Sequence, residues 1–444
     1  MVNMPNYLVS YPKSGRTWIR FILGKIVCLK HNLSDGNILK TNFLSSKEPG
    51  IVLNDNYTHE DSMLSGSKQL NRFQLQKDKS RYNYSNVILL IRDPRDVVVS
   101  FYYHYCFRSK YKFEGEIKDF ILNDSLGIGK TVDYYNIWYD SFFKPNKTLL
   151  VKYEDLHKNT SFIVKSIVGF LGIKDVSDGL IKEAIDFCSF DNMKRFEQDN
   201  SFGRRYLRRI DKNDIRTYKI REGKLSGYLE HVKPEDISFL DDSFKETKFY
   251  SLKNKTFYNT KIYGGSNGVD SEARMTFLKN IFDISGNKLK VLDIGCAEGM
   301  LCHYYKDYID TYHGFDFNMN SLIVAGRVLS LNMSGKEYSL NKCNFDNRKE
   351  FSSIIPKLLK KYDIVFFLGI YHHLNPKTRD WVLRHFLQLS NRWFAIRIPK
   401  KEHSWVGLFN IIKDFGYELA FQEPQFKDQF GVTVGDGYIF KLKY

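Results

Sequence analysis

Residues 6–25 read NYLVSYPKSGRTWIRFILGK. A short apolar run meets a Pro-Lys-Ser-Gly turn, and good helix formers with apolar residues at helical spacing follow. The pattern predicts a strand, a loop and a helix. Such a loop holds anions, because backbone N–H groups converge there and the helix dipole favours negative charge. Lys13 adds a point charge, and Ser14 and Thr17 add hydroxyl donors. The spacing is not the GxxxxGK[ST] of a triphosphate loop. A plain strand–turn–helix with a surface lysine is the competing reading.

A second stretch decides between them. Residues 86–105 read NVILLIRDPRDVVVSFYYHY. NVILLI is a continuous apolar run, as expected of a parallel strand buried on both faces. It ends at Arg92; Pro94 breaks the strand, and a helical pattern brings in Ser100. An arginine at a strand's C-terminal end faces the crevice where α/β folds bind ligands. Arg92 and Ser100 together form a candidate second phosphate site.

PKSGRTW together with RDPRDVVVSFYYH resembles the sulfotransferases that use 3′-phosphoadenosine 5′-phosphosulfate (PAPS). LLVKYEDL (149–156), CSFDNMKRFE (188–197) and KIREGKLSGY (219–228) continue the resemblance in the family's order, over roughly residues 5–250. It implies that Lys13, Ser14, Gly15, Arg16, Thr17 and Trp18 surround the 5′-phosphosulfate, with Trp18 placed to stack on adenine. Arg92, Ser100, Arg221 and Gly223 would hold the 3′-phosphate, and Tyr153, Ser189 and Phe190 would face the adenine. Arg16 stands where the family usually has Thr or Ser. Sulfuryl transfer to a hydroxyl needs a base, and histidine titrates in the right range. The family's base sits in a Thr-His segment, which Thr58-His59 matches here, although Tyr57 replaces a lysine often found nearby. His59 is therefore the expected base and Lys13 the group stabilising the leaving phosphate; His31 and His104 are the other histidines nearby.

The second half opens on VLDIGCAEG (291–299), where an apolar run meets small residues at 295, 297 and 299. Small residues let the backbone approach a ligand and start a helix, but dinucleotide sites share this feature. YHGFDFN (312–318) puts Asp316 at a strand end, where a carboxylate can take two ribose hydroxyls. NKCNFDN (341–347) puts Asp346 in reach of an adenine amino group. YDIVFFLGIYHHL (362–374) reads as a long buried strand ending in His372 and His373. This order resembles the class I S-adenosylmethionine-dependent methyltransferases over roughly residues 270–444. The resemblance implies that Asp293, Gly295, Ala297 and Gly299 shape the methionine site, with Asp316 at ribose and Asp346 at adenine. Ala297 replaces the usual glycine. His372 or His373 is the candidate base or acceptor-positioning group; on a continuing strand only one would face the ligand. A nicotinamide site is the competing reading.

The fold class that follows is α/β, with two tandem domains. A P-loop-like parallel-sheet sulfotransferase domain spans 1–254, and a Rossmann-like class I methyltransferase domain spans 255–444. The polar, GGSNG-containing stretch near 250–270 reads as the linker. At 444 residues the chain is long enough for two to three domains. The net charge is +16, and residues 255–444, with 26 Lys and Arg against 19 Asp and Glu, account for +7 of it. Both halves are thus basic, which favours anionic ligands. No nucleic-acid-binding motif is present, so nucleic acid is not the expected partner. The six cysteines are scattered without a CxxC, which argues against a zinc site or a disulfide framework and for a reducing compartment; no metal is expected. No apolar run reaches the ~18 residues of a membrane span, and the first residues lack a signal-peptide pattern; the expected location is cytoplasmic, without a membrane anchor. The expected activity is a bifunctional transferase that moves sulfate from PAPS and methyl from S-adenosylmethionine to a small-molecule or glycan acceptor. The alternatives are a sulfotransferase carrying a non-catalytic methyltransferase-like module, and an RNA-modifying methyltransferase.

Overall fold

The computed structural model describes every residue except 1–3, 40–63, 66–67, 203–206, 208–209, 212, 253–256, 264, 266–267, 287, 400–404, 430 and 444. The chain divides into two compact units, Met1–Lys253 and Asn254–Tyr444.

In the first unit, β1 (Asn6–Ser10), β2 (Asn86–Ile91) and β3 (Lys147–Lys152) form a parallel sheet with β2 in the centre. Val87 through Ile91 are completely buried, so NVILLI is apolar throughout because both faces of the central strand are covered. Helix α1 (Arg16–Lys30) follows β1, and its residues Ile19–Cys28 are all buried. Helix α2 (Pro94–Phe107) follows β2. Pro94 stands in the first turn, where a missing N–H costs nothing, and the Asp93 side chain caps the helix by accepting from Arg95 N–H. Helices α3 (Ile128–Asp140), α4 (Tyr153–Lys158) and α5 (Phe190–Gln198) complete the elements that matter for the site. Because the strands run parallel, the segments that follow them start at one edge of the sheet. Lys13, Arg92 and Tyr153 are collected there from distant parts of the chain.

In the second unit, β4 (Leu289–Ile294) and β5 (Ile309–Asp316) are followed by β6 (Glu337–Lys342), β7 (Tyr362–Leu368) and β8 (Ser390–Ile398); β9 (Tyr417–Glu423) and β10 (Asp436–Leu442) close the series. The sheet order is β9-β10-β8-β7-β4-β5-β6. Strands β4 to β8 are parallel and reverse order between β4 and β7, the switch point at which doubly wound sheets bind ligands. One strand is reversed: β10 runs antiparallel to β8 and to β9. Among the described residues no helix joins β9 to β10, and a return without a crossover gives an antiparallel pair. Helices α6 (Met300–Tyr305) and α7 (Met319–Asn332) follow β4 and β5.

Two expectations change here. The run 362–374 is not one strand: β7 ends at Leu368, Gly369 takes φ +71°, and Tyr371–His373 form a single 3-10 turn. Part of the expected linker is folded into the second unit. Tyr258 bridges Val269, and the fully buried Glu298 carboxylate accepts from Phe257 N–H (2.9 Å), Tyr258 N–H (3.0 Å) and Ser321 Oγ (2.5 Å).

Candidate active site

In the first unit a cavity of about 490 Å³ opens where the three parallel strands end. Lys13 (φ +71°) and Gly15 (φ +96°) turn the loop between β1 and α1. Lys13, Gly15, Arg16, Thr17 and Trp18 all line the cavity. The first turn of α1 carries no acidic residue, so its N–H groups and dipole favour a bound anion. Ser14 departs from expectation. It is buried, absent from the lining, and its hydroxyl pairs with Tyr135 of α3 at 3.1 Å. The tyrosine also receives Arg92 N–H at 3.1 Å, so Ser14 ties β1 to β2 instead of offering a donor to the cavity.

Arg92 and Arg221 meet the cavity with Ser100 and Gly223. Arg92 donates to the carbonyls of Lys13 (3.4 Å) and Lys224 (3.0 Å), pairs with the buried Asp96 at 3.4 Å, and lies 4.5 Å from the Tyr153 ring centroid. Asp96 in turn accepts from Ser226 and Tyr228 N–H, which fixes the loop that carries Arg221 and Gly223. The Arg221 guanidinium lies 3.6 Å from the Tyr103 ring centroid and pairs with Glu222 at 3.2 Å. Glu222 and Tyr103 are joined through His231, at 3.0 Å and 3.1 Å. Buried Arg92 Nε and Arg221 Nη1 have no hydrogen-bond partner among the described residues. Donors left over in a basic cavity fit an oxyanion such as phosphate.

Trp18, Tyr153, His157 and Phe190 supply the aromatic wall of the same cavity. Trp18 is held by its indole N–H, which donates to Cys188 C=O at 2.8 Å. Two glycines make room for the rings. A Cβ on Gly15 would lie 2.5 Å from the Tyr153 ring, and one on Gly223 (φ +65°) would lie 2.5 Å from the Phe190 ring. Ser189 is not on this wall: its hydroxyl caps α5 by accepting from Asn192 N–H at 3.4 Å.

In the second unit, Gly295 (φ +77°), Ala297 (φ +46°) and Gly299 (φ +67°) turn the loop from β4 into α6. Asp293 is buried at the end of β4 and accepts from Tyr312 Oη at 2.8 Å; burial pushes its carboxyl up to about 7. Asp316 ends β5 and accepts from Ala297 N–H (2.9 Å) and Asn318 N–H (2.8 Å), which leaves lone pairs on both oxygens. Asp346 departs from expectation. Its carboxylate accepts from Asn375 N–H at 3.0 Å and from the Thr378 hydroxyl, and so staples two loops together. His372 is half-buried, His373 is exposed, and their rings sit 4.0 Å apart in the 3-10 turn, where strand alternation does not apply.

Residues 6–255 match the sulfotransferase domain family. The chain belongs to the sulfotransferases. It is 24% identical to cytosolic sulfotransferase 14 of Arabidopsis thaliana, over 52% of this chain and 72% of that one. A solved mouse sulfotransferase complexed with PAP is similar at 21% identity and TM-score 0.40, covering 55% of this chain and 83% of the other. Magnesium protoporphyrin IX methyltransferase from Synechocystis PCC 6803, with bound SAH, is similar at 15% identity and TM-score 0.34, covering 47% and 100%.

The sulfotransferase cavity also holds residues to which the motifs assigned no role. Arg108, Lys219 and Lys224 line it, and so does His104. Burial, with Lys219 and Arg108 close by, lowers Lys13 to about 7, and burial lowers Lys219 to about 8. Burial, with Lys13 and Arg108 close by, pushes His104 down to about 3. His104 is thus neutral and too weak a base to draw a proton from a hydroxyl. His59 lies outside the described residues. Arg108 stands eight residues after Ser100, on the helical spacing of α2, and Lys219 opens the KIREGKLSGY stretch, so both could have been found by extending those two patterns. Among the described residues, no helix is long and apolar enough to cross a membrane.

Proposed function

We propose that residues 1–254 form a domain that transfers a sulfuryl group from PAPS to an acceptor hydroxyl. The observation that carries this reading is the meeting of Lys13, Arg16, Arg92 and Arg221 with an aromatic wall in one cavity. Lys13, Arg16 and the first turn of α1 would hold the 5′-phosphosulfate. Arg92, Arg221, Ser100 and the Gly223 loop would hold the 3′-phosphate, and Trp18, Tyr153 and Phe190 the adenine. The acceptor oxygen attacks sulfur, the bond from sulfur to the 5′-phosphate oxygen breaks, and PAP leaves with its charge met by Lys13. The acceptor proton passes to His59.

Residues 255–444 would form the second domain and carry S-adenosylmethionine at the switch point between β4 and β7. Asp293 would face the methionine ammonium and Asp316 the ribose. The methyl would go to a hydroxyl on the same or a related acceptor, a carbohydrate or other hydroxylated metabolite. A non-catalytic binding module is the second reading, favoured by Ala297, a non-glycine residue held at positive φ in the loop. Calorimetry of the full chain with PAP and with S-adenosylhomocysteine tests both sites. Binding of neither compound refutes the proposal. Binding of both, without methyl transfer to any hydroxylated acceptor, favours the binding module.

A further inference from the structure

One face of α2 runs along the sulfotransferase cavity. Ser100, His104 and Arg108 recur on it at four-residue spacing, and all three line the cavity. At 1.5 Å per residue, Arg108 lies about 12 Å along the helix from Ser100. At the opposite end Arg92 lies against Tyr153, on the aromatic wall. The charged groups acting on Lys13 are led by Lys219 and Arg108, and those acting on Lys219 by Arg16 and Arg108. Lys13, Arg16, Arg108 and Lys219 all line this cavity, with Arg108 about two helical turns beyond Ser100. The acid among them is Glu197, fully buried. It accepts from Lys219 N–H (2.7 Å), Ile220 N–H (2.8 Å) and the Arg108 guanidinium (3.0 Å). One carboxylate against Lys13, Arg16, Arg108 and Lys219 leaves a surplus of positive charge, of which the donor's phosphosulfate offsets about two. His104, held neutral on the same face, adds hydrogen bonding without charge.

We propose that the sulfuryl acceptor carries an oxyanion of its own, a phosphate or a carboxylate, and that Arg108 and Lys219 hold it. This rests on the sulfotransferase reading above. A guanidinium fork beside an ammonium suits such a group, because the fork binds two oxygens at once and the ammonium adds a point charge. A neutral phenol or sterol would leave the surplus charge unmet.

The test uses the full chain saturated with PAP, titrated calorimetrically with inorganic phosphate, acetate and glucose. One of the two anions binds saturably and glucose does not, and which anion binds identifies the oxyanion. Arg108→Gln and Lys219→Gln each weaken that binding at least tenfold and leave PAP affinity within twofold, while Arg108→Lys restores part of it. Arg108 is anchored to Glu197, so if Arg108→Gln loses PAP binding the decision falls on Lys219→Gln. In turnover with PAPS, glucose 6-phosphate (or glucuronate, if acetate is the anion that binds) is consumed faster than glucose. Absence of anion binding, anion binding untouched by the substitutions, or a preference for glucose overturns the inference. Failure of the wild type to bind PAP instead refutes the sulfotransferase reading.

Discussion

Lys13 offers the sharpest quantitative test. In the free protein its ammonium sits at about 7, lowered first by burial and then by Lys219 and Arg108. A bound phosphate beside it stabilises the charged form and raises that value. Binding therefore takes up a proton, so affinity is highest below about pH 7 and falls as pH rises through and above it. With the bound-state value above about 10, Lys13 alone weakens PAP binding about 50-fold between pH 7 and pH 9, or about 2.3 kcal/mol at 1.36 kcal/mol per unit. The phosphates are already ionised over this range, so the ligand does not supply the effect. Calorimetry in two buffers of different ionisation enthalpy reads the proton directly: uptake of about half a proton at pH 7, rising toward one at pH 8. Lys13→Met flattens the profile. A PAP affinity that is constant from pH 7 to 9 with no proton uptake would refute the reasoning.

The methyl-donor site should titrate in the opposite sense. Asp293 sits at about 7 through burial, and an ammonium placed on it lowers that value, so S-adenosylhomocysteine affinity rises from pH 6 to 8 with release of a proton; a falling profile would reassign the carboxylate. Gly223→Ala sets a Cβ 2.5 Å from the Phe190 ring at φ +65°, and strain of about 1–2 kcal/mol should appear as a lower melting temperature and at least tenfold weaker PAP binding. A melting temperature and a PAP affinity both equal to wild type would show that the loop does not pack as described. Ala297→Gly relieves a residue at φ +46° and should stabilise the second unit by about 1 kcal/mol in urea unfolding; a loss of stability would mean that the Ala297 methyl is a packing element.

The amino-acid sequence by itself determined the parts of this protein whose signals are local. YLVSYPKSGRTW announces a strand, an anion loop and a helix because the turn and the two hydrophobic periods lie within a dozen residues. NVILLIRDPRD announces a buried strand and a capped helix for the same reason. VLDIGCAEG does so for the second unit. From these, the α/β class and the convergence of Lys13, Arg92 and Tyr153 on one edge follow through the parallel topology. What tertiary structure decided is how each polar side chain is used. Ser14 turns to Tyr135, 121 residues away in sequence; Ser189 caps its own helix, and Asp346 serves two loop donors. In each case a buried or nearby partner competes for the same oxygen, and the motif spacing holds no record of that partner. Gly369, at positive φ, ends β7 and moves His372 and His373 into a turn, cancelling the alternation a strand would impose. Arg108 and Lys219 are joined at the cavity by Glu197, buried between a helix end and a segment 111 residues further along the chain. That charge balance exists in space and has no counterpart in the linear order of residues.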